Sequence, residues 1–132
     1  MNDRFKFRVW DKENKKFLHD LSFDISYSGS LILSCGIEGK KYINPNDNNR
    51  YILIQCTGLK DKNGKLIYEG DLVKDITLNR IFEVGYKKCA FYLENEEHIG
   101  YFHELATAYS EKRLEVIGNI YENKELLNER RK

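Results

Sequence analysis

The sequence predicts a mainly β (α+β) fold of antiparallel strands, with a small SH3-like or pseudo-barrel and a short C-terminal helix. Three observations lead to this fold class. Short apolar and β-branched segments alternate with polar turns along most of the 132 residues. The dipeptide Asn63-Gly64 lies between two such segments and is the strongest short-range hairpin signal. The stretch from Lys124 to Arg131 favours a helix, for which Asn123 is a suitable N-cap.

Length and composition favour one domain over residues 1–132. Within it, residues 1–50 are the candidate N-terminal β subdomain, and residues 51–132 hold the barrel-like part and the C-terminal helix. An apolar content of 41% supports a core that needs no disulfide or metal. No apolar run is long enough for a membrane span or a signal-peptide core. We therefore expect no membrane contact and a cytoplasmic location.

The three cysteines, Cys35, Cys56 and Cys89, are widely spaced and form no C-x-x-C motif. Each has apolar or small neighbours in the sequence. A thiol in such surroundings behaves as a small hydrophobic group. We expect all three cysteines to be buried and chemically inert.

The first predicted strand is Phe5–Trp10, in which apolar and basic residues alternate with period two. Its inner face is expected to hold Phe5, Phe7 and Val9. Trp10 is expected near the strand end, on the opposite face or over an edge.

Two predicted hairpin tips share the pattern Asp-Lys-x-x-Lys, at Asp11–Lys15 and at Asp61–Lys65. The pattern is too short to indicate an internal repeat, and it predicts two solvated turns. In the second tip, Asn63-Gly64 predicts a type I′ turn, which requires positive φ at both residues.

Further strands alternate with turns over the rest of the chain. They are predicted at Phe17–His19, Leu21–Ile25, Leu31–Leu33, Tyr51–Cys56, Leu72–Val73, Ile81–Tyr86, Ala90–Leu93, Ile99–Phe102 and Leu114–Ile120. Residues 36–49 lack a pattern and are expected to form a loop from Asn44 to Asn49. His103–Ala108 fits either a strand end or a helical turn. Gly70-Asp71 predicts a turn in which the Asp71 carboxylate accepts backbone N–H groups.

Three stretches resemble the YopX family of phage and prophage proteins: Phe5–Asp11, Thr57–Val73 and Glu115–Asn123. Their order and spacing match over nearly the whole chain, although residues 22–49 and 87–112 do not contribute. The resemblance implies a mostly β, barrel-containing domain encoded by a phage or prophage. It implies no activity and carries over no catalytic residue.

No motif in the sequence points to catalysis or to a cofactor. The nucleophile elbow, the P-loop and the dinucleotide fingerprint are all absent. Glu69 and Asp71 form a carboxylate pair, but they lie in a glycine-containing turn, where a structural role for Asp71 is favoured. The residues considered as metal ligands are Cys89, Glu96, Glu97, His98 and His103, and their spacing fits no zinc motif. We expect no enzyme, no metal site and no cofactor.

Two kinds of partner stay open. The candidate nucleic-acid-binding residues are the hairpin-tip lysines Lys12, Lys15, Lys16, Lys60, Lys62 and Lys65, together with the aromatic Trp10. A net charge of only +1 counts against a strong phosphate contact, and lysines also protect strand edges from pairing. Nine Tyr and seven Phe exceed the needs of a small core and favour an interaction surface. The sequence therefore predicts a non-enzymatic protein-interaction module that self-associates or binds a phage or host protein, with nucleic-acid binding as the alternative.

Overall fold

The computed structural model describes residues 2–19, 22–34, 39–44, 49–87, 89–95, 102–110, 112–123 and 125–126. Over these residues the chain is mainly antiparallel β with very little helix, and one sheet is a curled half-barrel, which confirms the fold class. The strands are β1 (Phe7–Asp11), β2 (Lys16–Phe17), β3 (Phe23–Ile25), β4 (Leu31–Ser34), β5 (Lys40–Ile43), β6 (Tyr51–Lys60), β7 (Leu66–Tyr68), β8 (Asp71–Asp75), β9 (Arg80–Lys87), β10 (Ala90–Glu94) and β11 (Leu114–Asn119). The helices are a 3₁₀ helix, Asn2–Phe5, and α1, Phe102–Ser110.

The chain divides into two compact units, residues 7–54 and residues 1–6 with 55–132. Strand β6 continues from the first unit into the second. The prediction of one domain with residues 1–50 as a subdomain stays a prediction.

The unit 7–54 contains a hairpin and a three-stranded meander. In the hairpin, β1 pairs with β2 so that Trp10 lies opposite Phe17. In the meander, β4 pairs on one side with β3 and on the other with β5. The turn at Ser28-Gly29-Ser30 joins β3 to β4, and Gly29 has φ +89° there.

The other unit is built on a four-stranded sheet in the order β10-β9-β8-β11. Alternate residues of these strands point inward, as the period of a half-buried strand requires. They form one hydrophobic core with side chains of β7 and α1. The buried members of this core are Ile67, Val73, Phe82, Val84, Leu93, Leu105, Ala108 and Leu114. Helix α1 packs against β10, and β11 closes the sheet with a register shift between Val116 and Gly118.

The N-terminal strand is shorter than predicted. The Lys6 N–H donates to the Asp3 carbonyl at 3.0 Å, which closes a 3₁₀ turn before the strand begins at Phe7. Phe5 is therefore 58% exposed rather than on an inner face. Trp10 is buried and its ring meets Phe17 edge-on, at 4.9 Å between centroids.

One open alternative is resolved and two other local predictions are corrected. The segment from His103 to Ala108 is helical, because Leu105 and Ala108 lie one turn apart and are buried together in the core. Lys40–Ile43, within the expected loop region, forms strand β5 against β4. Of the cysteines, Cys56 is buried as expected, whereas Cys89 is exposed in the β9–β10 turn with φ +67°.

The predicted type I′ turn at Asn63-Gly64 is wrong. Gly64 has φ +84°, but Asn63 does not have a positive φ. The Gly64 N–H donates to the Asp61 carbonyl at 3.0 Å, and the Asp61 N–H donates to the Lys65 carbonyl at 2.7 Å. This pattern is a three-residue loop that ends in a left-handed glycine.

Several predictions fall on residues outside the described part. They are Cys35, residues 45–48 of the loop, Ile99 to Tyr101 of a strand, the ligand candidates Glu96, Glu97 and His98, and all of the C-terminal helix except residues 125–126. Those two residues are helical, and the Leu126 N–H donates to the Asn123 carbonyl at 3.0 Å.

Candidate functional site

Four buried aspartates stand at strand ends, and each carboxylate accepts backbone N–H groups of a neighbouring turn. They are Asp11, Asp61, Asp71 and Asp75. Asp75, for example, accepts from Thr77 at 3.0 Å and from Leu78 at 3.1 Å, and it pairs with Arg113 at 3.2 Å. Carboxylates held in this way organise the backbone of the turns around them. They fix the turns that carry the predicted site residues.

Asp61 holds the second lysine-bearing tip. Its Oδ1 accepts from the N–H groups of Asn63 and Lys65, each at 2.9 Å. Its Oδ2 accepts from the N–H of Val116 on β11, also at 2.9 Å. Burial alone raises the pKa of Asp61, but these three N–H bonds outweigh it and hold the pKa below 3.8. The carboxylate therefore ties the tip to β11.

Asp11 holds the first tip differently. Oδ1 accepts from the N–H of Glu13 at 3.0 Å and of Asn14 at 3.2 Å. The Arg50 guanidinium donates to both carboxylate oxygens at 3.0 Å, and it also reaches Glu13 at 3.2 Å. Arg50 is the main reason that the pKa of Asp11 is lowered from 3.8.

The turn at Gly70-Asp71 shows how Glu69 and Asp71 are used. The Tyr68 N–H donates to Asp71 Oδ2 at 2.8 Å, as the sequence predicts. Gly70 has φ +84°, and a Cβ there would lie 2.9 Å from the Tyr121 ring, so the turn requires glycine. Burial raises the pKa of Glu69 although the backbone of Gln55 hydrogen-bonds it.

The predicted nucleic-acid residues lie at two tips, one in each unit. Lys12, Lys15 and Lys16 are exposed at the first tip, and Lys60, Lys62 and Lys65 are exposed at the second. Trp10 is only 7% exposed and packs against Phe17, so its ring is not available to stack on a base. The Arg8 guanidinium lies over Phe17, 4.7 Å from its centroid.

A cleft of about 390 Å³ lies between the second tip and the end of α1. We call it the tip–helix cleft. Its lining residues are Lys60, Asp61, Lys62, Gly64, Tyr109, Ser110, Lys112 and Leu114. Three of the eight residues are lysines, while Asp61 is occupied by its backbone hydrogen bonds. The cleft therefore presents a positive surface with one aromatic ring.

Of the residues that line this cleft, the sequence predicts Lys60 and Lys62 as binding residues at a hairpin tip, but not Tyr109, Ser110 or Lys112. These three residues are about fifty positions further along the chain, just before β11. No local pattern predicts that hydrogen bonds between the tip and β11 place them beside the tip. A sequence signal for the docking of the tip on β11 is Asp61, because an aspartate that starts a turn is a common acceptor of backbone N–H groups.

The surface also exposes several large apolar side chains. In the unit 7–54, Tyr27 is fully exposed at the β3–β4 turn and Tyr42 on β5 is 68% exposed. In the other unit the exposed set is Phe5, Ile76, Leu78, Tyr86 and Tyr109. Part of the aromatic excess in the sequence therefore lies at the surface.

Two classes of feature are absent from the part of the chain that the structure describes. No group of three or more His, Cys, Asp or Glu side chains could hold a metal ion. No helix there has the length and apolar character needed to cross a membrane.

The strand order and the turn-forming carboxylates define a mainly antiparallel β protein whose candidate sites lie at hairpin tips and sheet edges. The family described as "YopX protein" matches residues 6–128, and the chain belongs to the YopX family. No curated protein matches the chain.

The solved structures that are similar to it include the following two. Protein EF1440 from Enterococcus faecalis is 28% identical, with a TM-score of 0.62, and the match covers 92% of this chain and 96% of that one. Protein yopX from Bacillus subtilis is 21% identical, with a TM-score of 0.58, and the match covers 94% of this chain and 98% of that one. The second likeness concerns the fold alone.

Proposed function

We propose that this chain is a phage- or prophage-encoded accessory protein that acts in the host cytoplasm through protein contacts, without catalysis, and that it self-associates. The observation that supports this function is the pair of exposed tyrosines on the β3–β4–β5 meander. Tyr27 is fully exposed and Tyr42 is 68% exposed. Tyrosine is enriched at protein interfaces, where a large ring is buried at little cost in conformational entropy.

The meander also offers backbone groups for pairing. In the described sheet, β3 and β5 each have one neighbour, β4, so each leaves an outer edge. An exposed edge can pair with a strand of a second chain. Lys40 and Lys41 are exposed on β5 and oppose the approach of a positively charged edge. The β3 edge, which carries Asp24 between two apolar residues, therefore fits a second copy's β5 by charge.

The remaining groups favour a non-enzymatic role. The buried carboxylates accept backbone N–H groups in turns, and the pKa values of Asp11 and Asp61 are lowered. Burial raises the pKa of Glu69, whose sequence neighbour Asp71 is engaged by the Tyr68 N–H. Burial raises the pKa of the Cys56 thiol, which makes it a poorer nucleophile. The phage or prophage origin comes from the family resemblance, and the SH3-like character of the barrel stays a prediction.

Light scattering after size-exclusion chromatography tests self-association. A monomer has a mass of 15.7 kDa, and we expect a larger mass that falls on dilution. The double variant Tyr27→Ser and Tyr42→Ser should shift the protein to the monomer. The matched control is Ile76→Ser with Leu78→Ser, which removes two exposed apolar side chains elsewhere and should leave the mass unchanged. A wild-type monomer at high micromolar concentration contradicts self-association.

A second function, nucleic-acid binding, is favoured by the lysines of the two tips, all of which are exposed. The test is fluorescence anisotropy with labelled single- and double-stranded DNA and RNA at low and near-physiological salt. Changing Lys12, Lys15, Lys16, Lys60, Lys62 and Lys65 together to Gln should abolish binding and leave the fold intact. Unchanged affinity in that variant contradicts this function.

A further inference from the structure

The tip–helix cleft combines positive charge with an accessible aromatic ring. Lys60 and Lys62 approach it from the hairpin, and Lys112 approaches it from the end of α1. Tyr109, on the last turn of α1, is 42% exposed at the cleft. A volume of about 390 Å³ lies within the range that small-molecule sites occupy in proteins.

The cleft has a fixed geometry because two independent links dock the tip on β11. The Lys62 N–H donates to the Leu114 carbonyl at 2.8 Å. The Asp61 carboxylate accepts from the Val116 N–H at 2.9 Å. Leu114 itself is buried and forms part of the cleft wall. The lysines of the tip are therefore anchored through their backbone, and only their side chains need to order on binding.

Lys112 occupies a position where glycine is the usual residue. Its N–H donates to the Tyr109 carbonyl, and the Arg113 N–H donates to the Ala108 carbonyl, each at 3.0 Å. These two bonds form a Schellman motif, whose left-handed residue is most often glycine. Lys112 adopts this conformation with φ +56°, although a side chain there is strained. The same conformation occurs at Lys15 and Cys89, and what distinguishes Lys112 is that it lines a cleft with two other lysines.

The lysines of the cleft are weakly committed to other groups. Lys62 Nζ lies 4.0 Å from Glu115 Oε2, at the outer limit of an ion pair. Over the described ranges, neither Lys60 nor Lys112 forms an ion pair within 4.0 Å. Their charges are available to an anionic ligand.

We propose that the tip–helix cleft binds a nucleotide unit, with its phosphate between Lys60, Lys62 and Lys112 and its base against Tyr109. Three ammonium groups match the charge of a phosphate. A tyrosine ring at an exposed wall matches a planar base, which stacks on aromatic side chains without regard to sequence. An acidic peptide satisfies the charge but has no use for the ring. This site deepens the second proposed function and rests on nucleic-acid binding, with a free nucleotide as the other source of the same chemistry.

The test measures the anisotropy of a labelled oligothymidylate across a salt series, with the full chain and two variants. Tyr109→Ala, which keeps a good helix former on α1, should weaken binding on the order of 5- to 150-fold. Lys112→Gly should reduce the slope of log affinity against log salt by about 1. The same change should preserve or raise the melting temperature, because glycine relieves the strain at φ +56°. A purely structural role for Lys112 predicts no change in the salt slope.

The matched control is Lys87→Gln, which removes an exposed lysine of the same unit that belongs neither to the two tips nor to the cleft, and it should leave the affinity and the salt slope unchanged. Competition with a nucleoside monophosphate, inorganic phosphate and oligoglutamate separates the ligand sources. If the nucleoside monophosphate displaces the oligothymidylate, the cleft binds free nucleotides as well as single-stranded nucleic acid. If it does not, the cleft binds nucleic acid alone.

Two results overturn the proposal in distinguishable ways. If Tyr109→Ala and Lys112→Gly both bind the oligothymidylate as the wild type does, the tip–helix cleft is not the binding site, while nucleic-acid binding stands. If the wild type binds nothing at low salt, the second proposed function fails together with the cleft. Displacement by oligoglutamate as effective as that by the monophosphate also overturns the nucleotide assignment, in favour of an acidic peptide.

Discussion

The two lysine-bearing tips begin with the same residues but hold their turns by different means. In each, a buried aspartate comes first, and its Oδ1 accepts N–H groups from the turn that follows. Asp11 accepts from Glu13 and Asn14, at 3.0 and 3.2 Å. Asp61 accepts from Asn63 and Lys65, each at 2.9 Å. The shared Asp-Lys-x-x-Lys pattern therefore reflects a shared structure. In both tips, Oδ1 of the first aspartate accepts N–H groups of the turn that follows.

The second oxygen has a different partner in each tip. Asp11 Oδ2 accepts from the Arg50 guanidinium at 3.0 Å, within a charged pair that is partly open to solvent. Asp61 Oδ2 accepts from the neutral Val116 N–H, 55 positions along the chain. In each tip the N–H of the lysine after the aspartate also donates to a backbone carbonyl at 2.8 Å, from Lys12 to Arg50 and from Lys62 to Leu114. The tips therefore differ in the carboxylate link alone, which is an ion pair that salt screens in the first tip and a hydrogen bond to a neutral N–H in the second.

Removing the Asp61 carboxylate should have the largest effect of the changes considered. Asp61→Ala leaves the half-buried Val116 N–H without an acceptor and removes two bonds within the turn. An unmade buried hydrogen bond costs about 1–3 kcal/mol, and each turn bond adds about 1 kcal/mol. We expect the free energy of unfolding in urea to fall by about 3 kcal/mol.

Lys65→Ala is the control on the same tip, and its exposed side chain should change stability by less than about 0.5 kcal/mol. If Asp61→Ala costs no more than Lys65→Ala, the carboxylate does not hold the tip on β11. Asp61→Asn should have an intermediate effect, because a carbonyl oxygen remains to accept.

Removing the charge of Arg50 should have a smaller effect and act through Asp11. The Arg50 side chain is 39% exposed, so solvent screens the pair and Arg50→Gln should destabilise the fold less than Asp61→Ala does. The pKa of Asp11 should then rise toward 3.8, since the guanidinium is the main cause of its depression. NMR titration of the Asp11 carboxyl measures this change, and the pKa of Asp61 in the same spectra serves as the internal reference.

The sign of the pH dependence follows from the lowered pKa values. A carboxyl whose folded pKa lies below its unfolded value contributes stability that is complete above the unfolded value, 3.8 for Asp. This contribution is lost as the pH falls through the folded pKa. Arg50→Gln should reduce the part due to Asp11, whose bonds from the Glu13 and Asn14 N–H groups remain, and leave the part due to Asp61. A wild-type acid-unfolding curve in the Arg50→Gln variant contradicts the ion pair as a source of stability.

Much of the fold could be predicted because its determinants are local. The hairpins at both tips, the turn at Ser28-Gly29-Ser30 and the strand pair β9–β10 follow from period-two patterns and turn residues. The segment His103–Ala108 was ambiguous because its apolar residues fit two periods over so short a length. Its helical state depends on the core that Leu105 and Ala108 enter, which is tertiary information.

The sequence predicts the hairpin side of the candidate site but not the helix side. The lysines of the tip are visible in the sequence, because they belong to a recognisable hairpin. Tyr109 and Lys112 reach the same cleft only because Lys62 and Asp61 hydrogen-bond to β11. The exposure of Cys89 was also missed, since neighbouring residues in the sequence do not report which face of a turn meets solvent.

The smallest expected effect concerns the backbone of the two tips. The first loop is one residue longer than the second, and its left-handed residue is Lys15 with φ +53°, whereas the second tip uses Gly64 with φ +84°. A Cβ on Gly64 meets no atom within 4 Å, so the cost of Gly64→Ala comes from φ alone and should be about 1 kcal/mol. Lys15→Gly removes a side chain from a left-handed backbone position, so it should raise the free energy of unfolding by up to about 0.5 kcal/mol. The increase is small because glycine also loses more conformational freedom on folding. Urea unfolding of the two variants measures both changes in the free energy of unfolding, the expected decrease for Gly64→Ala and the expected increase for Lys15→Gly. If both changes destabilise equally, φ at the third and fourth loop positions does not distinguish the tips, and the difference between them lies in their side-chain partners alone.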